Sequence, residues 1–250
     1  MVIYEQPLNE KIRLFMRLEH MFDRFNYFIN EDSIQSSQSA LELLLDLHDM
    51  SSRIDIKSAI LKLIDHQTMT LREVSDEKET RLVLDELAQA SEELYNFHGQ
   101  FSQYMKDHNF LNFVKQRLNI SGGLNKFEAP LFSLWINQPT DIRREQLQNW
   151  VKPFMKSQDA IILVMKLIRN SAEQSECVAD DGFFQSTLRD THKRHHQLLR
   201  IHIPHSYSFY PEVSAGKQRF SIRFVSIDDL SERGNQVRED VNFTLNVCGF

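Results

Sequence analysis

Through the first two-thirds of the chain, apolar residues recur every three or four positions. After Pro7, Ile12, Phe15, Met16, Phe22, Phe25 and Ile29 keep that spacing. It predicts a helix opening near Leu8 or Asn9 with one apolar stripe turned inward, and Asn9 is suited to cap it. A second helix is expected over 34–50, burying Leu41, Leu44, Leu45 and Leu47, with Ser33 or Asp32 as cap and Ser51-Ser52 breaking the pattern. A third is expected over 55–72 through Ile56, Ile60, Leu63 and Ile64. Val83, Leu87, Ala90, Leu94, Phe97, Phe101 and Tyr104 then step by 4, 3, 4, 3, 4 and 3. Three heptads of apolar seam suit first a long helix packed against its neighbours in a bundle, and second a seam that also contributes to a dimer. A short helix over 111–120 should stop at Ser121-Gly122-Gly123. Pro130 and Pro139 bracket an apolar segment holding Leu131, Leu134 and Trp135. Trp150, Phe154, Ile161, Val164, Leu167 and Ile168 mark a strong helix over 143–171, which Pro153 is expected to kink or divide.

After Gly182 the period changes to two. Leu199, Ile201 and Ile203 alternate with Arg200 and His202, and Pro204 ends that run. In 217–225, Phe220, Ile222 and Phe224 point one way, and Lys217, Arg219, Ser221 and Arg223 the other. Val241, Phe243, Leu245 and Val247 alternate again. Three amphipathic strands predict a small antiparallel sheet whose one dry face packs on the helical body. Ile3 and Tyr4 are candidates for an edge strand. The expected fold class is α+β: a large N-terminal all-α helical domain over 8–180, contributing to dimerisation, and a small C-terminal antiparallel β-sheet domain over 181–250, with 1–7 as a possible added edge strand.

Composition narrows the function. No stretch approaches the 18 apolar residues of a membrane span, so no membrane insertion is expected. The opening Met1-Val2-Ile3-Tyr4-Glu5-Gln6-Pro7 lacks a basic region and an apolar run, so no secretory signal is expected. Two cysteines, Cys177 and Cys248, make no disulfide framework and suit a reducing cytosol. Net charge is −6, which does not favour nucleic acid. The average conceals an asymmetry. Between Leu188 and Phe224, Arg189, Lys193, Arg194, Arg200, Lys217, Arg219 and Arg223 face only Asp190 and Glu212, giving +5 and leaving −11 elsewhere. Five of the ten histidines lie in the same segment. A basic patch on an acidic body suggests an acidic partner.

Catalytic signatures are missing. There is no phosphate loop, dinucleotide fingerprint, nucleophile elbow, kinase motif, His-Glu-x-x-His or paired Cys-x-x-Cys. His192, His195 and His196 have ligand spacing if helical, but Lys193 and Arg194 between them repel a cation. Asp180-Asp181 and Asp228-Asp229 read as turn residues. No catalytic residue, cofactor or metal is therefore expected.

Two basic constellations remain. Lys217, Arg219 and Arg223 project from one strand face about 7 Å per two residues, with Arg200 and His202 expected on a neighbouring strand. Arginine forks on such a ladder suit carboxylates along a peptide; an ordinary solvated sheet face carries the same residues, and pattern alone leaves both readings open. On the first helix, Arg13, Arg17, His20 and Arg24 form a stripe, with Glu10, Glu19 and Asp23 near enough to neutralise part of it.

The same residues carry a family resemblance. Glu5-Gln6-Pro7-Leu8-Asn9-Glu10-Lys11-Ile12-Arg13 with Arg17 and Glu19, then Gln116-Arg117-Leu118-Asn119-Ile120 with Gly122-Gly123, Phe127, Pro130 and Trp135, then Tyr210-Pro211-Glu212-Val213-Ser214 through Lys217, Arg219-Phe220 and Ile222-Arg223-Phe224 resemble the ZapD family in order along nearly the whole chain. The resemblance implies a non-enzymatic cytoplasmic factor acting at midcell. It implies binding to the C-terminal tail of the tubulin-like protein FtsZ, bundling of FtsZ filaments for Z-ring assembly, and a homodimer. The site residues it implies are Arg17, Arg117, Lys217, Arg219 and Arg223, to which the strand pattern adds Arg200. A nucleic-acid binder using the same patch is the alternative. It is disfavoured by the acidic body and by a sheet face on which no aromatics are expected between the basic residues.

Overall fold

The structure, a computed structural model, describes residues 1–74, 78–96, 107–120, 123–188, 195–227 and 229–250. The chain divides into two compact units, one made of Met1–Phe15 and Val164–Phe250, the other of Met16–Leu163. Helices α1 (Glu10–Asn30) and α7 (Thr140–Asn170) each contribute residues to both.

The unit of Met16–Leu163 is helical. Besides its parts of α1 and α7 it holds α2 (Ile34–Arg53), α3 (Ile56–Val74), α4 (Lys78–Asn96), α5 (Asn109–Leu118) and α6 (Pro130–Ile136). Local chemistry starts these helices, at Asn9 and Ser33 where the sequence places caps and at Asp55 where it places only a helix start. Asn9 Oδ1 accepts from the Ile12 amide at 3.0 Å, Ser33 Oγ from Ser36 at 2.9 Å and Asp55 Oδ1 from Ser58 at 3.0 Å. Each satisfies one otherwise orphaned donor. Leu18, Phe22, Phe25, Leu41, Leu44, Leu47, Ile60, Ile64 and Phe154 are buried. Arg144 closes the end of α1, donating to the Ile29 carbonyl at 2.8 Å and to Asp32 at 2.6 Å. A cation there opposes the negative end of the helix dipole.

Two helical expectations need correction. Ser51-Ser52 does not end α2, because both hydroxyls bond back to the carbonyls of His48 and Asp49 at 2.8 Å and the helix continues to Arg53. Pro153 does not divide α7, which runs unbroken through it. Proline in a helix costs about 3 kcal/mol. Trp150, Val151 and Phe154 are all buried beside it, and each such side chain contributes roughly 1.5–3 kcal/mol, so packing holds the helix together. Of the heptad seam, Val83, Leu87, Ala90 and Leu94 lie on α4, with Leu87 and Leu94 buried; Phe97, Phe101 and Tyr104 lie outside the described residues.

The other unit is a β-sandwich. Its strands are β1 (Val2–Pro7), β2 (Glu173–Ala179), β3 (Phe183–Thr187), β4 (His196–Ile203), β5 (Phe209–Ala215), β6 (Arg219–Ser226), β7 (Asn235–Gln236) and β8 (Val241–Gly249). One antiparallel sheet has the order β1-β4-β8-β2, the other β3-β6-β5 with β7 beside β6. β1 is an edge strand. The single sheet expected from the sequence is thus two. Their dry faces pack on each other: Leu199, Ile201, Ile203, Phe243 and Leu245 share one core with Phe220, Ile222 and Phe224. Phe243 touches both Phe184 and Phe224, with ring centroids 5.3 and 5.2 Å apart. The strands also begin earlier than the period-two signal, at Glu173. β2 is mostly exposed and polar, so its sequence carries no apolar alternation; pairing with β8 defines it. The signal that marks it is the Asp181-Gly182 turn. Both residues have positive φ, 49° and 72°, the requirement of a tight hairpin turn.

Candidate functional site

Strand alternation on β6 puts Phe220, Ile222 and Phe224 in the core and leaves Arg219 and Arg223 exposed on the outer face. Register then fixes their neighbours. Arg219 stands opposite Thr187 on β3; Ser221 stands between Gln185 and Ser214; Arg223 stands between Phe183 on β3 and Glu212 on β5. Tyr210 follows on β5, opposite Val225. Arg219 and Arg223 are four residues apart, about 13 Å at the strand rise.

The two guanidiniums differ in state. Arg223 Nη2 donates to Glu212 Oε2. Among the described residues no carboxylate pairs with Arg219. It borders a depression of about 380 Å³ lined by Gln185, Ser214, Ala215, Gly216, Phe220 and Ser221. Hydroxyls and an amide beside one open guanidinium offer a carboxylate several donors. Phe183, 43% exposed, gives an apolar surface beside Arg223. Aromatics therefore do lie among the basic residues of this face. They were invisible in β6 itself because they reside on the flanking strands.

The remaining predicted site residues fall elsewhere. Lys217 is exposed but precedes β6, in the turn closed by the Gly216 amide donating to the Arg219 carbonyl at 2.9 Å. Arg200 is not on a strand beside β6. It lies on β4, in the other sheet, on the face opposite Leu199 and Ile201. There its Nε donates to Glu5 Oε1 at 2.9 Å, while Arg169 grips Glu5 with two bonds of 2.9 and 3.0 Å. Burial works to raise the Glu5 carboxyl, but the hydrogen bonds and charge of Arg169, and then Arg200, outweigh it and hold it below its usual range. His202, two residues on, is pushed down by burial and by the Arg200 charge.

Arg17 and Arg117 belong to the helical unit. Arg17 is exposed on α1. Arg117, in the last turn of α5, lies 5.5 Å from the Phe113 ring centroid, a cation–π distance. In the Arg13/Arg17/His20/Arg24 stripe, Arg13 pairs with Glu10 at 3.2 Å and Arg24 lies 5.8 Å from the Phe28 ring. Arg189, Lys193, Arg194 and His192 fall outside the described residues. His196 opens β4 rather than a helix, and among the described residues no cluster of three His, Cys, Asp or Glu is placed to hold a metal. No described helix is long and apolar enough to cross a membrane.

Comparison with known proteins places these features in context. The sequence profile of the ZapD family, described as a cell division protein, matches residues 16–223. The Cell division protein ZapD of Nitrosomonas eutropha is 35% identical, covering 99% of both chains. That of Chromobacterium violaceum is 32% identical and that of Ralstonia pickettii 33%, each with 100% of both chains covered.

Proposed function

The chain belongs to the ZapD family of cell division proteins, and from that premise we propose that it is a non-enzymatic factor that binds the C-terminal tail of FtsZ. Acting as a homodimer in the cytoplasm at midcell, it ties FtsZ filaments into bundles and so promotes Z-ring assembly. The tail docks on the outer face of the β3-β6-β5 sheet. The observation that carries the reading is the exposed pair Arg219 and Arg223, held on one strand beside Phe183. Charge-assisted bonds from arginine forks suit the carboxylates of an acidic peptide. Lys217 extends the positive edge, and Arg17 and Arg117, on the helical unit, are cationic contacts for FtsZ in their own right. Two tail sites per dimer give avidity along a polymer without a tight single site.

The test is titration of a synthetic FtsZ tail peptide against the full-length protein, with FtsZ cosedimentation in parallel. Arg219→Glu should weaken peptide binding at least about tenfold, a change of ~1.4 kcal/mol, and abolish cosedimentation while the circular dichroism spectrum stays unchanged. Normal binding by the folded Arg219→Glu and Arg223→Glu proteins would remove this face from the function. Phe183 opposite Arg223 and Tyr210 opposite Val225 favour one second reading, a single-stranded nucleic-acid platform, against which the net charge of −6 weighs. Retardation of an oligonucleotide at physiological salt, lost in Arg219→Glu, would support it instead.

A further inference from the structure

The two arginines of the outer face meet a ligand in different states. Arg219 is open, beside a depression lined with hydroxyl and amide groups. Arg223 is already engaged by Glu212, its directly opposed neighbour on β5. Glu212 offers Arg223 the same group, a carboxylate, that an acidic peptide would bring. The pair is solvated rather than locked, with side chains 44% and 46% exposed, so the bond is weak and exchangeable. Pro211 and Val213 on either side hold the Glu212 backbone in the β5 ladder, and only the side chain has to swing away.

We propose that Glu212 is a built-in competitor at the tail-binding face, occupying Arg223 in the free protein and yielding it to an incoming carboxylate. The inference rests on the peptide-binding reading above and adds the order of engagement. The tail's first acidic group takes Arg219, which among the described residues has no carboxylate to displace. A second, about 13 Å further along the strand direction, reaches Arg223 only by exchanging with Glu212. Glu212 thereby keeps the single-site affinity low, which suits a crosslinker that must release and rebind along a filament.

The consequence is a gain of function from losing a carboxylate. The synthetic FtsZ tail peptide is titrated against full-length wild type, Glu212→Gln, Arg223→Gln and the double variant, at low salt. Glu212→Gln should bind about two- to fivefold more tightly, the fold-change equivalent of an exposed ion pair, and the gain should vanish in the Arg223→Gln background. Unchanged or weaker binding by Glu212→Gln overturns the proposal, since the pair would then be a sheet brace only. Equal tightening in the Arg223→Gln background overturns it too, because the effect would be net charge rather than exchange. Absence of any peptide binding by the wild type would overturn the peptide reading itself, and this inference with it.

Discussion

Glu5→Gln tests whether Arg200 supports the β unit or serves a ligand. Glu5 sits at the centre of a three-residue network, with side-chain exposures of 17% for Glu5, 23% for Arg169 and 20% for Arg200. Its carboxylate accepts three guanidinium bonds of 2.9 to 3.0 Å. Replacing it with an amide removes both attractions and leaves two like charges facing each other. Unit charges 4 Å apart interact by about 4 kcal/mol at the effective dielectric of a protein surface. Removing one partner of a fully buried pair costs about 3–5 kcal/mol, whereas an exposed pair is worth about 0–1. With one-fifth of each side chain wet, the expected loss is about 2–3 kcal/mol, read as a lower urea midpoint. The pH dependence has a defined sign. A carboxyl held below its usual value contributes stability that is complete above pH 4.5 and is lost as pH falls through the depressed folded value. Glu5→Gln should lose that acid-sensitive component. His202, depressed from 6.5, adds a second loss that starts nearer pH 6.5 and persists in the variant. Arg200→Ala should be destabilised likewise, yet bind the tail peptide as wild type does. A Glu5→Gln midpoint indistinguishable from wild type, or a folded Arg200→Ala with weakened peptide affinity, would refute this assignment.

Three further outcomes are expected. Arg143, buried in the helical unit, donates to Ser37 Oγ at 3.0 Å, to the Ile136 carbonyl at 3.1 Å, to the Gln138 carbonyl and to Thr140 Oγ1 at 3.1 Å; Arg143→Ala strands those acceptors and should cost about 3–5 kcal/mol in thermal unfolding. Gly182→Ala should lower stability by about 1–3 kcal/mol, because its φ is +72° and a Cβ would lie 2.5 Å from the Val237 carbonyl oxygen, and circular dichroism melts would register it. Phe183→Ala should weaken tail-peptide affinity roughly fivefold, about 1 kcal/mol, with an unchanged melting temperature.

What the sequence made legible depended on whether its cause was local. Helix starts were readable because a cap and its amide are three residues apart, as at Asn9 and Ser33. The outward aim of Arg219 and Arg223 was readable because alternation is a property of one strand. β2 was not readable from its own residues, since Glu173–Ala179 lacks an apolar face and is a strand only because β8 pairs with it. Pro153 misled for the complementary reason. Its local cost is real, and the compensating burial of Trp150 and Phe154 is a tertiary fact.

The same distinction governs the site. Counting Lys and Arg between Leu188 and Phe224 treats every cation as equivalent, yet register sorts them into different physical states. Arg200 carries the same charge as Arg219 and the same alternation within its strand, but its strand pairs with β1, and Glu5 lies directly opposite. Arg223 is opposed by Glu212 and Phe183, whereas Arg219 is opposed by Thr187 on β3 and, among the described residues, by no carboxylate. One residue of slip in either pairing would exchange those neighbours for side chains of the other face. The chemistry available to an acidic ligand is therefore set by strand registry rather than by the number of basic residues. Among the described arginines of that segment, Arg219 is the one left without a carboxylate partner, so a carboxylate docking there would displace none from the described residues.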